Sequence, residues 1–138
     1  MKNILILCTG NSCRSQIAHG YFCKFLKEKA KVYSAGIETH GLNQMAIKTM
    51  LRDGLDIASY NSNNINEYQG INFDFIITVC DNANKKCPFF YSKKSKRIHK
   101  SFIDPSKIKN SKNMDLDFDN CRDEIKKFSE EFAKTFFN

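Results

Sequence analysis

No stretch of this 138-residue chain approaches 18 consecutive apolar residues, although 41% of it is hydrophobic, so nothing reads as a membrane span. Acidic residues are in deficit, 15 against 22 Lys and Arg, leaving a formal net charge of +7. Such an excess can signal nucleic acid, but the lysines are spread out and no nucleic-acid motif accompanies them. A solvated surface that attracts anionic substrates is the better reading. There is no Cys-x2-Cys pair, and His19, His40 and His99 share no ligand spacing, so neither a metal nor a cofactor is assigned. No repeat, linker or composition break divides the chain, which predicts one domain over 1–138. Met1-Lys2-Asn3 runs straight into a short apolar stretch, too short for a secretory signal. Cytoplasm is therefore the expected compartment, and the 6 cysteines are expected as thiols rather than a disulfide framework.

What the chain does have is concentrated at its start. Ile4-Leu5-Ile6-Leu7 is a continuous apolar run closed by Gly and polar residues, which reads as a buried parallel strand. Behind Cys8-Thr9-Gly10-Asn11-Ser12-Cys13-Arg14-Ser15, apolar residues return at helical spacing: Ile17, Ala18, Tyr21, Phe22, Phe25 and Leu26. A strand, a tight loop and a helix in that order converge backbone N–H groups at a helix N-terminus, where anions are favoured. Residues 9–15 are thus the candidate substrate cradle, with Arg14 adding a planar fork for a tetrahedral oxyanion. Cys8 opens the loop as candidate nucleophile, and the same field is expected to lower its pKa. Gly10 is expected to supply a positive φ. Cys-x5-Arg alone is a weak signal; its strand-loop-helix setting strengthens it.

Further along, Lys31–Gly36 reads as a second strand, and Met45, Ile47, Met50 and Leu51 as a helix stopping near Gly54. Residues 58–72 are rich in Asn and Ser, with room for a short helix. Phe73–Val79 is the next strand, 81–95 a long irregular loop, and 96–101 a short edge strand. Asp104-Pro105 suits a turn. Leu116, Phe118, Cys121, Ile125, Phe128, Phe132 and Phe136 form the stripe of a C-terminal helix. Strands alternating with helices predict a three-layer α/β/α domain on a parallel sheet, with ligands at the carboxyl ends of the strands. Cys8 and Cys80 both end strands and could face one crevice. Cys23 and Cys121 lie near apolar helix faces and read as core, and Cys13 lies on the helix side of the loop.

Cys80 and Cys87, separated by a six-residue gap in Cys80-Asp-Asn-Ala-Asn-Lys-Lys-Cys87-Pro88, do not suit a tetrahedral zinc site. They suit thiol chemistry, one attacking an adduct on Cys8 and the other resolving the disulfide, with Lys85 and Lys86 favouring the Cys87 thiolate. Two unconnected cysteines, one buried and one incidental, is the competing reading.

The segments Cys8–Gln16, Tyr33–Gly41, Thr78-Val79-Cys80 with Cys87-Pro88, and Asp104-Pro105 together resemble the thioredoxin-coupled arsenate reductases. These share the low-molecular-weight protein tyrosine phosphatase fold. The resemblance implies a four-stranded parallel sheet flanked by helices, and a monomer. It also implies that Cys8 attacks arsenate (or binds phosphate or sulfate as analogues) in the loop while Asp104 protonates the departing oxygen. Cys80 then attacks the adduct to give a Cys8–Cys80 disulfide, Cys87 displaces Cys8, and thioredoxin reduces the Cys80–Cys87 disulfide. Ser15 would hydrogen-bond the Cys8 thiolate and Asn11 would hold the loop's shape; the plainer reading of both is helix capping, since Ser and Asn suit helix starts. Some members of the family bind potassium through two carboxylates. His19 and Asn63 stand at the matching positions here, which argues against that site.

The nearest rival is a low-molecular-weight protein tyrosine phosphatase using Cys8, Arg14 and Asp104. Such phosphatases carry tyrosines after the Asp-Pro, whereas Ser106-Lys107 follow here, and they need no Cys80/Cys87 pair. A non-catalytic anion-binding module on the same fold is less consistent with the full residue set. Nucleic-acid binding rests on charge alone.

Overall fold

The computed structural model describes residues 1–86 and 94–138. Its elements are β1 (Lys2–Cys8), α1 (Arg14–Leu26), β2 (Ala30–Gly36), α2 (Gln44–Arg52), β3 (Phe75–Thr78), α3 (Asp81–Lys86), β4 (Lys96–His99) and α4 (Met114–Phe137). Short 3-10 turns lie at Lys27–Lys29, Ile65–Tyr68 and Pro105–Lys107. The strands form a parallel sheet in the order β2-β1-β3-β4. Among the described residues no helix is long and apolar enough to cross a membrane.

Packing follows from the side chains each strand presents to its two faces. Ile4 to Leu7 of β1 are wholly buried, as a central strand covered on both sides requires. On one face, Phe22 of α1 meets Phe132 of α4 at 5.0 Å between ring centroids, and Phe132 meets Phe75 of β3 at 5.2 Å. On the other, Tyr33 of β2 packs against Tyr68 and Phe73 at 5.1 and 5.5 Å, and α3 lies along β3, with Thr78 Oγ1 3.4 Å from Asn84 Oδ1. The result is the expected three-layer α/β/α arrangement with four parallel strands. Polar ties fix the helices to one another: Arg52 and Thr49 of α2 reach Asp119 of α4 at 2.5 and 2.6 Å.

Strand order places the site. The chain leaves β1 toward β2 on one side and returns to β3 on the other, so the direction reverses at the carboxyl ends of β1 and β3, where such sheets bind ligands. The register Leu7 to Thr78 puts Cys8 and Cys80 at that same end.

Two expectations are corrected here. Residues 81–86, read as irregular, form α3; only Ala83 of it is buried, so no apolar stripe announced a helix. Cys23, read as core, is exposed, whereas Cys121 is buried. Cys87 and Pro88, and with them the loop reading beyond Lys86, lie outside the described residues.

Candidate active site

The loop between β1 and α1 keeps its shape because its carbonyls are drawn outward. Glu38 N, His40 N and Asn43 N donate to the carbonyls of Thr9, Gly10 and Ser12 at 2.8, 2.9 and 3.0 Å. Ser62 Oγ adds a bond to Gly10 O at 2.9 Å, and Gln16 Nε2 one to Asn11 O at 3.0 Å. Among the described residues, no amide of Gly10 to Cys13 donates to a protein acceptor. Those N–H groups are left for an anion in the hollow of the loop.

Asn11 pins the loop from within. It is wholly buried, its Nδ2 donates to Ser15 Oγ at 2.8 Å, and its Oδ1 accepts from Asn63 N at 2.8 Å. Asn11 also carries the left-handed turn, with φ 48°, which corrects the expectation that Gly10 would do so. Asn tolerates this region because its short polar side chain can bond locally. Gly10 suits its place for another reason: a Cβ there would stand 2.3 Å from His40 Nδ1, so the imidazole would have to shift. Ser15 is engaged with Asn11 and not with Cys8.

A cavity of about 530 Å³ opens over the loop and is lined by Cys8, the loop to Arg14, Cys80 and Asp104. Of the residues singled out in the sequence, Thr9, Gly10, Ser12 and Cys13 line it too, while Asn11 and Ser15 support it from behind. Arg14 donates to Phe102 O at 2.8 Å and faces Asp104 Oδ2 at 3.6 Å, so a backbone carbonyl and a carboxylate aim its guanidinium. Burial works against the Arg14 charge, but Cys8, Asp104 and Cys80 around it hold its pKa above the ordinary value. Asp104 is itself fixed by Ser106, whose N and Oγ donate to Oδ1 at 2.9 and 2.7 Å.

Cys8 and Cys80 both line the cavity, and each thiol weighs on the charge of the other. The neighbouring Cys80, with burial adding to it, raises the Cys8 pKa against the pull of Arg14. This runs against the expectation of a lowered Cys8. The neighbouring Cys8 holds the Cys80 pKa below the ordinary thiol range despite its burial. Thr9 Oγ1, 3.3 Å away, and Ala83 N, at 3.4 Å, also favour the Cys80 thiolate. Thr9 Oγ1 accepts from Asn82 Nδ2 at 3.0 Å, leaving its own proton for the sulfur.

Sequence reasoning passed over His40 and Thr9's side chain as distinct contributors. His40 walls the cavity beside Gly10 and pairs with Glu38 Oε2 at 2.6 Å. The signal for His40 lay in the Tyr33–Gly41 segment, which periodicity could not place over the loop.

The family's potassium does not suit the residues at the corresponding place. His19 is lowered to about 4 by burial and so is neutral, with Nδ1 2.8 Å from Ser34 Oγ. Asn63 Nδ2 is turned to Asn61 O at 3.1 Å. Gln16 Oε1 is a buried acceptor without a partner, but it is a neutral amide oxygen, and His19 and Asn63 bring no carboxylate to balance a cation.

The sequence pattern of the low molecular weight phosphotyrosine protein phosphatases matches residues 3–137. The chain belongs to that family. Within this phosphatase family it is similar to the arsenate reductase of Bacillus subtilis (strain 168), 43% identical over 97% of this chain and 96% of that protein. Arsenate reductase 1 of Staphylococcus epidermidis is 44% identical, covering 96% of each. Among solved structures, an arsenate reductase in its phosphate-binding state superposes with a TM-score of 0.84 at 25% identity over 98% of both chains. The phosphatase-family fold and the near full-length likeness to arsenate reductases meet in one chain.

Proposed function

We propose that this chain reduces arsenate to arsenite through Cys8, Cys80 and Cys87, with thioredoxin as the reductant that restores the thiols. The observation that carries the reading is the Cys8–Cys80 pair: a second thiol lines the anion cavity together with the loop cysteine. A phosphatase has no use for it.

The chemistry runs on these groups in order. Arsenate sits in the loop, its oxygens taken by the amides of residues 9–14 and by the Arg14 fork. With the anion bound beside Arg14, the Cys8 proton passes to Cys80 across the cavity, leaving Cys8 as thiolate. Cys8 Sγ bonds to arsenic, the As–O bond breaks, and the Asp104 carboxyl supplies the proton that lets water leave. Cys80, deprotonated again with help from Thr9 Oγ1 and Ala83 N, attacks Cys8 Sγ. An S–S bond forms, the S–As bond breaks, and its electron pair stays on arsenic, which departs as arsenite. Cys87 attacks Cys80 Sγ, freeing Cys8 as thiolate, and thioredoxin reduces the Cys80–Cys87 disulfide. In this scheme the chain works as a cytoplasmic monomer of one domain.

The test is to give the reduced chain arsenate with excess thiol reductant, assay arsenite, and assay phenol release from an aryl phosphate in parallel. Arsenite formation that vanishes in Cys8→Ser and Cys80→Ser supports the reading. Steady aryl phosphate turnover with no arsenite refutes it and makes the chain a phosphatase.

A further inference from the structure

β4 presents two side chains to α3. Arg97 and His99, two residues apart and hence on one face of the strand, supply its attachments. His99 Nε2 meets Asp81 Oδ1 at 2.9 Å, His99 Nδ1 meets Thr78 Oγ1 at 2.7 Å, and the Arg97 guanidinium reaches Asn84 O at 3.3 Å. Asp81 opens α3 and directly follows Cys80. We propose that His99 is a positioning residue for the Cys80 thiol: it latches Asp81 and keeps the first turn of α3 wound, so that the Ala83 N–H stays on the Cys80 sulfur. The inference rests on the relay described above.

The imidazole can hold the latch in either protonation state. When neutral, Nε2–H donates to the Asp81 carboxylate and Nδ1 accepts from the Thr78 hydroxyl. When charged, Nδ1–H donates to Thr78, whose hydroxyl then turns to Asn84 Oδ1 at 3.4 Å. Asp81 is held both times. The latch matters to Cys80 in two ways. The Ala83 N–H that reaches Cys80 Sγ at 3.4 Å is in place only while the first turn is wound. An unpaired Asp81 carboxylate would also set a second negative charge beside the thiolate, and His99 takes that charge toward β4.

The latch is read first without arsenate, by amide hydrogen exchange at Ala83. His99→Asn, too short to reach Asp81, should exchange about tenfold faster, the loss of one charge-assisted hydrogen bond; His99→Gln, which still reaches, should stay near the parent. Unchanged exchange in His99→Asn overturns the proposal whatever the arsenate chemistry proves to be. In a Cys87→Ser background, acid-quenched mass analysis after arsenate should then show Cys8–Cys80 disulfide forming about tenfold more slowly in His99→Asn and near the parent rate in His99→Gln. Aryl phosphate hydrolysis at Cys8 should move less than about twofold, since Cys8 does not lean on α3. Equal slowing of all these steps, in both variants, would show a merely structural role and overturn the proposal. Failure of the Cys87→Ser parent to form any Cys8–Cys80 disulfide counts against the relay, and the exchange result still decides the latch.

Discussion

Asn11 should be the costliest single side chain in the anion loop, because three separate effects meet in it. It is wholly buried, gives one hydrogen bond to Ser15 Oγ, takes one from Asn63 N, and holds φ at 48°. Asn11→Ala leaves the Ser15 oxygen and the Asn63 N–H without partners, at about 1–3 kcal/mol each. It also forces alanine into the left-handed region, at about 1–2 kcal/mol. The sum is about 3–8 kcal/mol, a large share of the roughly 5–15 kcal/mol that holds a domain folded. Asn11→Gly loses the same two bonds but not the backbone penalty, so it should be more stable than Asn11→Ala by about 1–2 kcal/mol. Urea unfolding followed by circular dichroism at 222 nm measures both differences. If Asn11→Gly unfolds like the parent, or Asn11→Ala proves the more stable of the two, the account of the loop is wrong.

Other outcomes follow from the same geometry. A Cβ at Gly36 would lie 2.2 Å from Glu38 O and 2.7 Å from Thr9 O, backbone atoms that cannot step aside, whereas one at Gly10 meets only the half-exposed His40 ring. Gly36→Ala should therefore cost about 3 kcal/mol or more and Gly10→Ala about 1 kcal/mol, by the same unfolding assay. His19 sits near 4 in the folded chain against an ordinary 6.5, so the unfolded chain binds more protons between those values. Its share of stability is complete above pH 6.5 and is lost as pH falls toward 4, on the order of 3 kcal/mol; His19→Asn should flatten the stability profile in that window and no other. Because the neighbouring Cys80 is what chiefly raises Cys8, Cys80→Ala should lower the Cys8 pKa, seen as thiolate absorbance at 240 nm and faster iodoacetamide alkylation at pH 7. Slower alkylation would contradict that influence of one thiol on the other.

The elements legible in the sequence are those whose own pattern is strong. The Ile4–Leu7 run announced β1, and the Phe stripe from Phe118 to Phe136 announced α4, because period and burial agree there. The loop could be placed from the strand before it and the helix after it. What escaped depends on neighbours remote in sequence. α3 is a polar segment wound by contacts from Thr9, Arg97 and His99, none visible in Asp-Asn-Ala-Asn-Lys-Lys. The resting charge of Cys8 was misread because the field of a helix N-terminus was weighed without the thiol that the β1–β3 register sets against it. The loop's left-handed residue was assigned to Gly10 by propensity, but His40 claims the space above Gly10 and the turn falls on Asn11.

The relay itself is tested most directly by arsenate turnover with thioredoxin, thioredoxin reductase and NADPH, comparing the parent chain with Cys87→Ser. The account predicts many arsenites per parent chain, and at most one per Cys87→Ser chain, which then carries a Cys8–Cys80 disulfide. Sustained arsenite production by Cys87→Ser would contradict it.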